Sequence, residues 1–151
     1  MSISTTKLHA FLFIKLPSAF WCGVRVKRIS EKECVVTVKH RWFNQNPFKS
    51  MYFAVQAMAA ELSTGALVML HIQDSGKKIS MLVAQNKAVF TKKAKGRITF
   101  TCNEGKIIKE TIKNAVFTGE GQTIWLTSIG VNEDGQQVSE MSFEWTVKVK
   151  N

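Results

Sequence analysis

A single carboxylate lies in the apolar segment 46–70, NPFKSMYFAVQAMAAELSTGALVML: between Lys49 and the end of the segment, Glu61 is the only charged residue. Apolar surroundings raise the pKa of a carboxyl group, and such a group can act on water as a general base or attack a carbonyl directly. Thr64, on the next turn, is placed to position a water molecule. The side-chain amide of Asn46, in the loop before the helix, is of a type that holds a water or orients a carbonyl. Glu61, Asn46 and Thr64 are therefore the candidate catalytic residues.

Two of these residues also have a structural interpretation. Asn46 followed by Pro47 is typical of the cap and first position of a helix. Glu61 has many possible ionic partners, because only two acids lie between Glu33 and Glu104, against ten Lys or Arg. We favour a functional role for Glu61, since an unpaired buried charge would otherwise cost several kcal/mol.

The composition indicates one globular domain spanning residues 1–151, with 45% hydrophobic and 21% charged residues. The net charge of +10 predicts attraction to anions, namely nucleic acid, an acidic membrane or a phosphorylated small molecule. Cys22, Cys34 and Cys102 have no metal-ligand spacing, so we expect no metal site. Free thiols and the lack of a signal-peptide pattern favour the cytoplasm.

Apolar periodicity predicts one long helix over about residues 48–71, where an apolar stripe runs from Met51 to Met69 and small residues occupy the opposite side. Glu61 at its centre argues against a membrane span. A short helix is expected at about 5–16, and residues 106–118 are open between a helix and an irregular insert. The predicted strands are 20–30, 34–42, 78–94, 96–105, 122–131 and the alternating C-terminal segment, with a turn at 132–135.

A helix that is apolar on every side needs a sheet wrapped around it, so the predicted class is α+β with antiparallel strands. This order of elements resembles the hotdog-fold thioesterase superfamily over residues 20–150. Three motifs resemble its phenylacetyl-CoA-thioesterase-like branch: Asn46 and Glu61 fifteen residues apart, AVFTKKAKGRITF at 88–100, and the hairpin VNEDGQQVSEMSFEWTV at 131–147. The resemblance implies a curved sheet around the helix and acyl-CoA thioesterase activity, with coenzyme A as part of the substrate and no separate cofactor.

The start of the predicted helix departs from that branch. Its characterised members usually carry His-Gly-Gly there, where a glycine amide helps to form the oxyanion hole, whereas this chain has Met51, Tyr52 and Phe53. The chain resembles a separate subfamily that lacks the motif. The backbone amides of Tyr52 and Phe53 are then the candidate oxyanion donors, because free amides at a helix N-terminus favour negative charge.

Four basic residues cluster at a predicted turn: Lys92, Lys93, Lys95 and Arg97. A solvated turn accounts for them structurally. The functional interpretation is a clamp for the phosphates of coenzyme A, which hotdog proteins commonly place along the edge of a subunit.

Three functions compete at this stage. The first is hydrolysis of acyl-CoA thioesters by Glu61, and the second is non-catalytic binding of an acyl-CoA or fatty acyl group. The third, nucleic-acid binding, has only the net charge in its favour. Because an exposed sheet edge is normally paired, we expect a homodimer, or a tetramer as the alternative, with the active site shared between subunits.

Overall fold

One six-stranded antiparallel sheet and a long helix make up the fold of the computed structural model, which describes residues 4–150. The helices are α1 (Thr5–Lys15), α2 (Pro17–Trp21), α3 (Phe53–Ser75) and α4 (Gly105–Thr118), with a 3-10 turn at Trp42–Asn44. The strands are β1 (Arg25–Ile29), β2 (Cys34–Lys39), β3 (Ile79–Phe90), β4 (Arg97–Cys102), β5 (Gln122–Val131) and β6 (Gln137–Val149). The strand order is β1-β2-β4-β5-β6-β3, so β1 and β3 are the two edges.

Helix α3 is the centre of the core, as the apolar stripe predicted. Ala59, Ala60 and Gly65 are buried on it, and these small residues let the helix backbone approach its neighbours closely. The helix is long and apolar enough to cross a membrane, but 67% of its most apolar window is buried inside the protein. It is thus the core helix of the domain, as the prediction of no membrane span required.

The predicted bounds of this helix, 48–71, were wrong at both ends. Lys49 has a left-handed φ of 57°, and a bridge joins Gln45 to Met51, so the chain here forms a loop and α3 begins at Phe53. At the other end, α3 continues to Ser75 and stops at Gly76, whose φ of 65° gives a left-handed C-cap.

Local structure also settles two other segments. The predicted strand at 20–30 begins only at Arg25, because Pro17 starts a second short helix that runs to Trp21. The ambiguous segment 106–118 is helical: α4 buries Ile108, Ile112 and Ala115 along one face. The C-terminal hairpin forms as predicted, with a turn at Gly135.

Two cysteines lie opposite each other in the core of the sheet. Cys34 on β2 is in register with Cys102 on β4, and both are free and buried. Burial raises the pKa of each thiol to about 12. These side chains are therefore inert core residues, consistent with the absence of metal-ligand spacing.

The outer part of the edge strand β3 is left uncovered. The pairing of β3 with β6 shifts between Val83 and Gln85, and beyond this bulge Ala88 and Phe90 lie opposite the buried Met141 and Ser139. Ala88 and Phe90 thus face the side of the sheet that holds the core, yet both are exposed. Within residues 4–150, no element covers this end of the sheet.

Candidate active site

The Glu61 side chain lies in a small, mostly apolar cavity in the middle of α3. The cavity measures about 110 Å³ and is lined by Phe11, Lys15, Leu16, Leu62, Gly65, Ala66, Met69, Met81 and Trp145, besides Glu61 itself. Among residues 4–150, no side chain forms a hydrogen bond or ion pair with the Glu61 carboxylate, although Lys15 lines the same cavity. Burial raises the pKa of Glu61. The structure therefore shows an unpaired carboxyl group that readily takes up a proton.

The wall beside Glu61 is built by Thr64, Gly65 and Trp145. The Thr64 hydroxyl donates to the Glu61 carbonyl at 2.8 Å and accepts from the Trp145 indole Nε1 at 2.9 Å. A Cβ atom on Gly65 would lie 3.0 Å from the Trp145 ring and 3.3 Å from the Glu61 carboxylate. Gly65 thus keeps space open beside the acid, while Thr64 fixes the indole. The expected role of Thr64 in positioning water stays a prediction.

Asn46 organises the loop before α3. Its side-chain amide donates to the Ser50 hydroxyl at 3.0 Å and to the Met51 carbonyl at 3.3 Å, while its oxygen accepts from the Phe48 amide at 2.9 Å. The alternative in which Asn46 caps the helix was wrong, because the N-cap is Tyr52 and no side chain bonds there. Asn46 instead closes a loop that borders a second cavity.

This second cavity lies at the N-terminus of α3 and measures about 510 Å³. Its lining includes Asn46, Phe48, Tyr52, Phe53, Gln56, Phe90, Lys92 and Lys93. Of the two predicted oxyanion donors, the Tyr52 amide already donates to the Asn44 carbonyl at 2.9 Å. The Phe53 amide has no backbone acceptor in the described chain. Of the two predicted donors, the one with a free amide is therefore Phe53.

Gln56, on the second turn of α3, was missed by the sequence reasoning. It lines the same large cavity, is only 4% exposed, and its side-chain oxygen has no hydrogen-bond partner among residues 4–150. A buried polar atom without a partner costs free energy, so this oxygen is available to a ligand. The available signal was a glutamine within a helix predicted to be buried on every side.

Within one chain, Glu61 and Thr64 lie apart from Asn46 and the Phe53 amide. Phe53 and Glu61 are eight residues apart on α3, which corresponds to about 12 Å along the helix axis. Among residues 4–150, the two cavities share no lining residue, and Asn46 borders the larger one. The chain therefore holds its candidate residues in two separate cavities.

The four basic residues of the predicted phosphate clamp are also divided. Lys92 and Lys93 line the large cavity and an adjoining groove, and Lys95 lines that groove together with the acids Glu133 and Asp134. Arg97 lies elsewhere, in a third cavity. Of the predicted clamp, only Lys92 and Lys93 border the cavity at the start of α3.

A family model described as Domain of unknown function (DUF4442) matches residues 5–147. The chain belongs to the DUF4442 family. No curated protein matches this DUF4442 chain in sequence.

Solved structures similar to this DUF4442 chain include several thioesterases. A Pseudomonas aeruginosa protein of unknown function, a probable thioesterase, has a TM-score of 0.82 and 21% identity, covering 99% of both chains. A thioesterase from Haemophilus influenzae has a TM-score of 0.75 and 12% identity, covering 99% of this chain and 93% of its own. Two substituted forms of a Staphylococcus aureus protein, one of them described as a thioesterase enzyme, have TM-scores of 0.68 and 0.67 at 17% identity, covering 89% and 88% of this chain and 99% and 98% of theirs.

These similarities confirm the predicted hotdog fold, with its antiparallel sheet around one central helix. They also confirm the resemblance to the hotdog-fold thioesterase superfamily at the level of the fold. The substrate of the DUF4442 chain and the roles of its residues depend on the side chains that line its own cavities.

Proposed function

We propose that this protein is a thioester hydrolase acting on acyl-CoA, with Glu61 as general base or nucleophile. The observation that carries the proposal is the Glu61 carboxylate, which lies unpaired in an apolar cavity on the central helix, with a pKa raised by burial. Such a group is expensive to keep for stability alone. The thioesterases that share the fold supply the class of reaction. We propose a cytoplasmic enzyme, because the free thiols of Cys22, Cys34 and Cys102 suit a reducing compartment.

The chemistry needs two groups on opposite sides of the thioester carbonyl. Glu61 takes a proton from water as the water oxygen attacks the carbonyl carbon, or attacks that carbon itself and is released by water afterwards. The carbonyl oxygen gains negative charge and accepts from the Phe53 amide at the positive end of α3. The C–S bond then breaks, and the products are a carboxylic acid and coenzyme A with its thiol protonated.

A homodimer is the simplest way to unite these two groups. In such a dimer each of the two separate cavities of one chain would form a half-site, and the side of β3 beyond its bulge is uncovered. We expect a second copy to pair with this edge, so that Glu61 of one subunit serves the α3 N-terminus of the other. Lys92 and Lys93, which border the larger cavity, are the residues expected to meet the coenzyme A phosphates, with Lys95 nearby.

The spacing of two polar residues offers further support. The Staphylococcus aureus protein was solved with a glutamine at its position 32 replaced by alanine and, separately, with a glutamate at its position 47 replaced by alanine. That separation of fifteen residues equals the separation of Asn46 and Glu61 here. We therefore retain Asn46 in the proposed site, as the residue that orients the carbonyl or the water.

The decisive experiment measures thiol release from short, long and aromatic acyl-CoAs. We expect Glu61→Gln to lose about a hundredfold or more in kcat, the range for removal of a general base. The matched control is Glu110→Gln, which removes the same charge from an exposed position on α4. Equal rates for wild type and Glu61→Gln would exclude Glu61 from the mechanism.

The aromatic start of α3 favours one alternative, a non-catalytic acyl-CoA or fatty-acyl binding protein. The Tyr52 and Phe53 rings contact each other edge to face at 5.1 Å between centroids, and Phe53 contacts Phe90 at 6.2 Å. Aromatic residues thus stand at the helix start, where the characterised enzymes carry glycine. Binding of acyl-CoA by wild type without any thiol release would select this alternative.

A further inference from the structure

A third cavity, of about 450 Å³, is lined by basic side chains alone apart from one glycine: Gly23, Arg25, Lys39, His40, Arg41 and Arg97. No acidic residue lines it, and none of these side chains forms an ion pair within the described residues 4–150. The nearest acid contact is at the backbone, where the Arg97 amide donates to the Glu133 carboxylate at 2.8 Å. Glu133 itself lines the adjoining groove. We call these five basic residues the basic cluster.

A buried asparagine fixes the backbone of the basic cluster. Asn44 is 2% exposed, accepts from the Arg41 amide, and donates to the Cys22 and Lys39 carbonyls, each at 2.9 Å. Lys39 is also the register partner of Arg97 across β2 and β4. All polar atoms of the Asn44 side chain are used in holding these segments together. The backbone that carries the cluster is therefore held in place, although Lys39, Arg41 and Arg97 themselves are exposed.

Two arginines of the basic cluster are held close together. Arg25 stacks on the Phe20 ring at 3.8 Å and donates to the Phe20 and Val24 carbonyls at 2.8 Å each. The Arg41 guanidinium lies against Gly23, where any side chain would collide with it. Burial, and after it the neighbouring Arg41 charge, lowers the pKa of Arg25. An anion between these groups would relieve the repulsion.

His40 supplies an independent sign of a missing partner. Its Nε2 is buried and has no hydrogen-bond partner among residues 4–150. The other two histidines differ, because His9 and His71 each bond a backbone carbonyl through Nε2, at 3.1 and 2.9 Å. Buried polar atoms normally have partners. His40, whose Nε2 has no partner among the described residues, thus lines the same cavity as four cationic side chains that have no acidic partner there.

We propose that the basic cluster is a binding site for a phosphate monoester. A phosphate monoester carries close to two negative charges and several acceptor oxygens, and planar guanidinium groups bind such oxygens in pairs. The site differs from the Lys92 and Lys93 pair in its position, its arginine content and its lack of acids. Its ligand is either the 3′-phosphate of coenzyme A or a free phosphate compound. The proposal holds whether or not the protein hydrolyses thioesters.

Calorimetric titration at constant ionic strength tests the site without any activity assay. The ligands are inorganic phosphate, coenzyme A and dephospho-coenzyme A, which lacks the 3′-phosphate. The variant is Arg41→Gln with Arg97→Gln, and the matched control is Lys106→Gln with Lys113→Gln, which removes the same charge from exposed positions on α4. Lys39→Gln is the second variant if the arginine pair is lost to misfolding, which circular dichroism reports.

We expect saturable phosphate binding that weakens at least about tenfold in the arginine variant and less than about twofold in the control. Tighter binding of coenzyme A than of dephospho-coenzyme A, lost in the arginine variant, would support the site and identify its ligand as coenzyme A. Equal binding of the two, with phosphate still bound, would support it for a free phosphate compound. Equal losses in both double variants, or no saturable binding of any of the ligands, would overturn the proposal.

Discussion

The Glu61 carboxylate and the residues around it show what a sequence can and cannot reveal at the scale of single side chains. A lone charge in an apolar helix pointed to Glu61 directly. The sequence did not show that Thr64 bonds the Trp145 indole, because those residues are 81 positions apart and meet only in the fold. Gln56 was missed for the same reason, since its orphan oxygen becomes visible only when the cavity around it is known.

Burial of Glu61 makes the stability of the protein depend on pH. Because the folded-state pKa is raised, the folded chain holds more protons than the unfolded chain in the window above the ordinary carboxyl pKa, and stability falls as pH rises through that window. Glu61→Gln cannot ionise, so it should be more stable than wild type at about pH 8 and gain least at about pH 4. Urea denaturation at both values measures the difference. Glu110→Gln is the control, and a gain for Glu61→Gln that is the same at both values would contradict the expectation.

At the scale of elements, strongly periodic segments were predicted well and boundaries were not. β6 buries one face, so apolar and polar residues alternate along it. α3 is buried on most sides, so its residues are mostly apolar or small. In both elements the local sequence reflects the burial. The start of α3 depends on the loop held by Asn46, and α2 extends helical structure where a strand was expected. The periodicity of α4 was present at Ile108, Ile112 and Ala115, but was read as ambiguous.

The docking of α4 depends on one glycine at its start. The Gly105 amide donates to the Lys32 carbonyl at 3.0 Å, and a Cβ atom there would overlap the backbone of Glu31. Backbone cannot move aside as a flexible side chain can, so we expect Gly105→Ala to destabilise the fold by about 3 kcal/mol. Gly121→Ala is the matched control, because its Cβ atom would meet only ordinary contacts near 4 Å. Thermal and urea unfolding compare the two, and similar stabilities would show that α4 is not anchored at Gly105.

At the scale of the whole molecule, the candidate residues of one chain lie in two separate cavities, and β3 forms one edge of the sheet. This edge strand exposes Leu82, Val89 and Phe90. A long, exposed apolar edge is normally paired in soluble proteins. The predicted fold class implied that a sheet edge would need a partner. The uncovered side of β3 results from the bulge between Val83 and Gln85, which no local sequence pattern predicted.

We expect the 17.0 kDa chain to form a dimer. We also expect that adding positive charge to β3 disrupts this dimer. Leu82→Lys with Val89→Lys places two charges on the outward side of this edge and should give a monomer by light scattering, with thiol release lost as well. Phe117→Lys, at an exposed position on α4, is the control that should leave the mass unchanged. A monomeric wild type with full activity would contradict the shared site.

Mixing subunits tests directly whether the half-sites come from different chains. Glu61→Gln and Asn46→Ala should each be inactive alone, because each removes one half of every site. If the halves are shared, refolding the two variants together should restore about a quarter of the wild-type activity, since half of the dimers would hold one intact site. Each variant refolded alone is the control. A mixture as inactive as the separate variants would contradict the shared site.

Trp145 gives the molecule an optical reporter of the cavity around Glu61. Its indole is 4% exposed, bonded to Thr64 and part of the wall around Glu61, whereas the other three tryptophans are more exposed: Trp125 at 36%, Trp21 at 62% and Trp42 at 81%. Tryptophan fluorescence at short wavelength therefore comes chiefly from Trp145, beside Glu61. An acyl chain entering that cavity changes the surroundings of this ring, so occupancy can be followed by intrinsic fluorescence without a label, even in a variant that cannot turn over its ligand.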